Sequence, residues 1–236
     1  MELNELEKII AYSFVDKSLL LRAVTHSSFA NEKLGNPAKG NERLEFLGDA
    51  VLGACMARYL YKAFPRRGEG ELTKMRAAVV CEASLSAVGK KLGINEFLLL
   101  SHGEESGGGR DRNSIIADSV EAVIGAVYLD GGFDAACEVV ENILSDTVRK
   151  CAEGKLPKDA KTTLQELLGR KGGSDSLIKY EISDESGPDH AKTFTAVVYI
   201  DGKAAGRGSG RSKKKAEQEA ASDALTAMNT EKKDVF

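Results

Sequence analysis

The run Asn41-Glu42-Arg43-Leu44-Glu45-Phe46-Leu47-Gly48-Asp49 constrains the chain more than any other, because it sets acids into an apolar helix. Glu42, Glu45 and Asp49 fall at i, i+3 and i+7, within about 60° of one another on a helical surface. Leu44, Phe46, Leu47, Ala50, Val51, Leu52, Ala54, Cys55 and Met56 surround them, and a helix apolar on nearly every side is expected to be buried. Carboxylates on a buried helix must be protonated, paired with cations or bound to metal.

A second stretch offers the resolution. Ser114 to Leu129 reads as a helix stopped by Gly131-Gly132, apolar almost throughout except for Asp118 and Glu121 at i, i+3. If the two helices lie side by side, Glu45, Asp49, Asp118 and Glu121 converge, with Glu42 at the rim. Acids so crowded cannot all ionise without cations. Oxygen ligands with no cysteine and no nearby histidine point to a hard ion such as Mg²⁺, which suits hydrolysis of phosphate esters. A structural role competes with this reading. Glu42 and Asp118 sit early in their helices, where an acid favours the dipole, and Arg43 and Arg112 could pair with the others.

The rest of the front is helical too. Residues 2–10 form an amphipathic helix, and a second runs from Lys17 to Ser28, with His26 assigned to packing or capping. Asn36–Gly40 is a loop that hands over to Asn41 as N-cap. The helix after it ends at Pro65, and Leu72 to Leu92 reads as another. The Gly107-Gly108-Gly109 loop lacks the Gly-Lys-Ser/Thr of a P-loop, so no nucleotide cofactor is expected. A helix over Asp134–Cys151 closes an all-α front, and no strand pattern precedes residue 155.

The pattern then changes. Glu153 to Asp159 is polar, with Gly154 and Pro157, and reads as a linker. Thr162–Leu168 is a short helix. Ile178, Tyr180 and Ile182 alternate with charged residues, as do Phe194, Ala196, Val198 and Ile200 with their neighbours. Asp201-Gly202 signals a hairpin, and Lys213 to Met228 is a helix with an alanine stripe. The order is α-β-β-β-α. The expected division is 1–153 for the catalytic domain, 154–160 for a linker, 161–229 for the second domain and 230–236 for a tail.

Charge supports two modules. The whole chain has a net charge of −3, but residues 1–154 carry 18 Lys and Arg against 23 Asp and Glu, and residues 155–236 carry 15 against 13. In the basic module, Gln165 and Glu166 on the first helix, His190 in the Gly187-Pro188-Asp189-His190 loop, and Lys213, Lys214 and Lys215 at a helix start form a candidate nucleic-acid surface. The apolar runs are too short for a membrane span, and four scattered cysteines without a Cys-x-x-Cys pair favour a reducing cytoplasm.

Asn41–Asp49 resembles the signature of the ribonuclease III family, and Ile116-Ala117-Asp118-Ser119-Val120-Glu121-Ala122 with Ile124-Gly125 resembles its second acidic motif. Thr162 to Met228, including Gly208-Ser209-Gly210-Arg211-Ser212-Lys213-Lys214-Lys215-Ala216-Glu217, resembles a double-stranded RNA-binding domain. The resemblance implies a homodimer that hydrolyses double-stranded RNA with Mg²⁺, for which Mn²⁺ can substitute, leaving 5′-phosphate and 3′-hydroxyl ends in ribosomal-RNA and mRNA processing. It implies that Glu45, Asp49, Asp118 and Glu121 hold metal, with Asp49 and Glu121 catalytic, and that Glu42 and Glu69 handle RNA. The rival readings are a duplex-RNA-binding protein without cleavage and a helical scaffold whose acids are merely structural.

Overall fold

The computed structural model describes residues 3–156, 160–170, 177–187 and 192–231, and it divides into two compact units, Met1–Leu156 and Pro157–Phe236. The first unit is helical: α1 (Leu3–Ile10), α2 (Lys17–Ala23), α3 (Ser27–Leu34), α4 (Glu42–Ala63), α5 (Glu69–Val79), α6 (Glu82–Leu92), α7 (His102–Ser106) and α8 (Asn113–Ala152). Its centre is the contact between α4 and α8. Leu52, Met56 and Leu60 from α4 meet Ile124 and Leu144 from α8 in a core that also takes Leu6 and Ile10 from α1. The expected break at Gly131-Gly132 is present, because Gly132 adopts φ 80° and ψ −173° and bends α8 into two segments. That left-handed φ suits a residue without Cβ.

Several expectations need correction. The helix expected over Lys17–Ser28 stops at Ala23. Val24 to His26 runs beside Leu99, with Leu99 N donating to Val24 O (2.8 Å) and His26 N to Leu99 O (3.0 Å), so this short parallel bridge ends the helix. The Leu72–Leu92 helix is two, α5 and α6, separated at Val80 and Cys81. A 3₁₀ turn, Pro37–Lys39, lies within the expected loop. Asn41 precedes α4, but its side chain is no cap: it is 2% exposed, and Nδ2 donates to Ala23 O at 3.2 Å. The amide thus anchors the start of α4 to the end of α2.

Nor is α4 buried on every side. Phe46 is 82% exposed and Tyr61 75%, and Ala50 and Ala54 are also exposed. At 100° per residue these four fall within about 80° on one face.

The second unit has α9 (Ala160–Arg170), β1 (Ile178–Ser186), β2 (Thr193–Ile200), β3 (Lys203–Gly210) and α10 (Lys213–Glu231). The strands pair antiparallel in the order β1-β2-β3. Asp201 (φ 51°) and Gly202 (φ 78°) make the expected two-residue hairpin, since both positions of such a turn need positive φ. Ala216, Ala220 and Ala224 are fully buried against the sheet, and a Cβ at Gly208 would stand 2.2 Å from Ala220 N. Alanine on the helix facing glycine on β3 lets the two backbones nearly touch.

Candidate active site

Two glycines decide where the acids meet. A Cβ on Gly48 would lie 1.8 Å from Glu121 O, and one on Gly125 would lie 2.3 Å from Leu44 O. Backbone therefore touches backbone where α4 crosses α8. Glu45 is three residues before Gly48 and Glu121 four before Gly125, so each acid shares the face of its glycine. Oxygens of Glu45, Asp118 and Glu121 lie within 4.8 Å of one another. Asp49 is exposed and stands outside that trio, yet its charge is the second-largest influence on Glu121 after burial.

Among the described residues, none of the four acids forms an ion pair with Lys or Arg, and Arg112 is engaged with Glu104 at 2.6 Å. The electrostatic result is directional. Burial, followed by repulsion from Asp49, Asp118 and Glu45, pushes the Glu121 carboxyl up to about 7. Burial and then Asp118, Glu42 and Asp49 raise Glu45. Burial and then Glu82 raise Asp118, while His26 pulls it down. Carboxylates held near one another with no Lys or Arg partner among the described residues, and with oxygen the only donor type within the trio, fit a hard divalent cation.

The sequence reading missed two neighbours of this cluster. Glu82 opens α6 and His26 caps α3, where Nδ1 accepts from Ser28 N at 3.3 Å. The capping role assigned to His26 is present, and the bridge to Leu99 brings its ring close enough to act on Asp118. Neither has a local signal, because both reach the site through chain reversals. The glycines did have one: a glycine inside an apolar helical run costs about 1 kcal/mol relative to alanine and implies close approach.

The remaining candidates lie elsewhere. Glu42 is exposed in the first turn of α4. Glu69 opens α5, accepts from Thr73 Oγ1 at 3.0 Å, and borders a cavity of about 500 Å³ shared with Leu60, Tyr61, Phe64 and Arg76. In the second unit Gln165 is exposed on α9. Lys213, Lys214 and Lys215 are exposed at the start of α10, where Ser212 Oγ accepts from Lys215 N at 3.2 Å. Glu166 belongs to α9, but its side chain, like the whole of His190, lies outside the described residues.

Comparison with known proteins places both units. The family model described as ribonuclease-III-like matches residues 16–147, and the double-stranded RNA binding motif matches residues 160–228. The chain belongs to the ribonuclease III family. It is 49% identical over 222 residues to ribonuclease 3 of Desulforamulus reducens, covering 94% of this chain and 89% of that protein. It is 48% identical over 224 residues to ribonuclease 3 of Pelotomaculum thermopropionicum, covering 95% and 92%. The nuclease domain of ribonuclease III from Campylobacter jejuni superposes with a TM-score of 0.57 at 41% identity, covering 61% of this chain and 97% of that one. That structure is described as showing flexibility in a region involved in dimer formation. The present chain is an endoribonuclease of the ribonuclease III type carrying a double-stranded-RNA-binding domain.

Proposed function

We propose that this endoribonuclease is a Mg²⁺-dependent homodimer that hydrolyses phosphodiesters of duplex RNA, leaving 5′-phosphate and 3′-hydroxyl ends. The observation that carries the reading is the unpaired trio Glu45, Asp118 and Glu121, with Asp49 open to solvent beside it. The trio would hold the cation, and Asp49 would complete the set from the rim. A divalent cation bound there would supply Lewis-acid polarisation of the scissile phosphate and a nucleophile at neutral pH. The residues themselves keep four carboxylates on a rigid crossing. Repulsion among them is relieved by a proton on Glu121, raised to about 7, or by positive charge, and a cation held by these residues would compete with that proton. Asp49 and Glu121 are assigned as catalytic, and Glu42 and Glu69 as RNA-handling residues outside the trio.

The second unit, proposed as residues 161–229, presents Lys213–Lys215 where helix dipole and side-chain charge act together on phosphates. Gln165, Glu166 and His190 are assigned to the shape-reading surface for A-form RNA, which explains affinity with little sequence choice. Pairing of two nuclease units is supported by the exposed stripe of Phe46, Ala50, Ala54 and Tyr61 on α4. One face of one helix suits a two-fold, self-complementary contact. By family resemblance the substrates are structured precursors of ribosomal RNA and mRNA, and the compartment is the cytoplasm.

Long duplex RNA incubated with the full chain, with and without Mg²⁺, tests the reading. Cleavage only with metal is expected, together with loss of cleavage but retention of duplex binding in Glu121→Gln. Metal-independent cutting, or near-native activity in that variant, would overturn it.

A further inference from the structure

Two thiols far apart in sequence meet inside the nuclease unit. Cys55 on α4 and Cys137 on the second segment of α8 are separated by 82 residues, and their Sγ atoms are 2.8 Å apart. A disulfide bond needs about 2.05 Å, so closure requires a movement of less than about 1 Å. Both cysteines are free and buried, with Cys55 1% and Cys137 4% exposed.

Their surroundings differ. Burial, then the hydrogen bond with Cys137, holds the Cys55 thiol well above its ordinary value. Arg58, about one turn beyond Cys55, binds Asp134 at 2.5 Å, and its charge also acts on Cys55. The thiolate is the nucleophilic form, and two sulfurs already in contact can exchange that role. Whichever sulfur reacts first, the other stands 2.8 Å away as the resolving thiol.

We propose that Cys55 and Cys137 form a peroxide-sensitive modification site, closing to an intramolecular disulfide that staples α4 to the second segment of α8. The thiolate of one cysteine attacks one oxygen of hydrogen peroxide. The O–O bond breaks, water leaves after protonation, and a sulfenic acid remains. The second cysteine sulfur then attacks the sulfenic sulfur, its proton leaves with the departing hydroxide as a second water, and the S–S bond forms. Peroxide is reduced by two electrons and the two thiols are oxidised by two. A thiol already in contact intercepts the sulfenic acid before further oxidation.

The staple lies away from the carboxylates and contains none of them. It closes a long loop, and a long loop restricts the unfolded chain more than a short one does. It stabilises the unit under oxidative load and stays open in a reducing compartment.

The full-length Cys81→Ser, Cys151→Ser variant leaves this pair as the only thiols. Serine suits residue 81, which precedes α6 at its N-cap. The variant is treated with hydrogen peroxide, denatured without reductant and alkylated with iodoacetamide. The expected protein is lighter by two hydrogens and unalkylated, and yields a peptide linking residues 55 and 137. Its Tm should rise by roughly 10 °C, returning on addition of dithiothreitol. Two alkylated thiols after treatment, or oxygen gained on either cysteine without a linked peptide, would overturn the proposal. So would a linked peptide with no rise in Tm. The same peptide map on the unsubstituted chain decides the matter if the double variant folds poorly.

Discussion

Replacing Glu121 with glutamine should make the metal-free protein more stable while abolishing its activity. The Glu121 carboxyl is raised from 4.5 to about 7 by burial and by Asp49, Asp118 and Glu45. Between these values the folded state holds a proton that the unfolded chain has released. Stability of the metal-free protein therefore falls as pH rises from 4.5 to 7 and stays lowered above that window. One unit of displacement corresponds to about 1.4 kcal/mol, so the whole displacement amounts to about 3 kcal/mol, or about 2 kcal/mol after screening by solvent at the partly open site. Glutamine keeps the shape and removes the charge. At pH 8, in chelator, Glu121→Gln should melt roughly 5 °C above the parent chain. At pH 5 the gap should shrink to under about 1 kcal/mol. Saturating Mg²⁺ should raise the parent Tm and leave the variant nearly unmoved, which reverses the order. The assay is scanning calorimetry at a fixed protomer concentration, since association also moves Tm. Equal gaps at pH 5 and pH 8, or no gain at pH 8, would refute the account of Glu121 as a repelled, cation-seeking carboxylate.

Gly48→Ala would force a methyl group against Glu121 O, so it should cost more than about 3 kcal/mol or leave a folded protein whose Tm no longer responds to Mg²⁺. An unperturbed Tm and activity would remove the backbone contact from the argument. Changing Lys213, Lys214 and Lys215 together to alanine should weaken duplex RNA binding and reduce the magnitude of its salt slope by about 2–3, read from binding isotherms over a salt series. An unchanged slope would place the phosphate contacts elsewhere. Phe46→Asp sets a charge into the exposed stripe of α4 and should shift sedimentation from dimer to monomer, whereas a persistent dimer would move the interface off this face.

Much of this molecule is legible along the chain. The acids at i, i+3 and i+7 on one helix and i, i+3 on another follow from helical periodicity, and so does the crowding of charge that protons, basic partners or a cation must relieve. Asp201-Gly202 announces its hairpin because few other residue pairs tolerate positive φ twice in succession. The alternation of Ile178, Tyr180 and Ile182 gives a strand of period two. These are local properties, and local chemistry determined them.

Tertiary structure decided the rest, for reasons of distance. Periodicity cannot say which face of α4 is open, because Phe46 and Leu52 read alike until the neighbours are in place; one is 82% exposed and the other fully buried. Nothing near Asn41 in sequence predicts that its amide turns away from α4 to Ala23. The meeting of Cys55 with Cys137, and of Glu82 and His26 with Asp118, likewise depends on chain reversals that no short window contains. The sequence by itself determined which acids share a helix face and that protons, basic partners or metal must relieve their crowding. Only the crossing of α4 and α8 through Gly48 and Gly125 determined that three of them share a single site, because the absence of two side chains sets the distance between the helices.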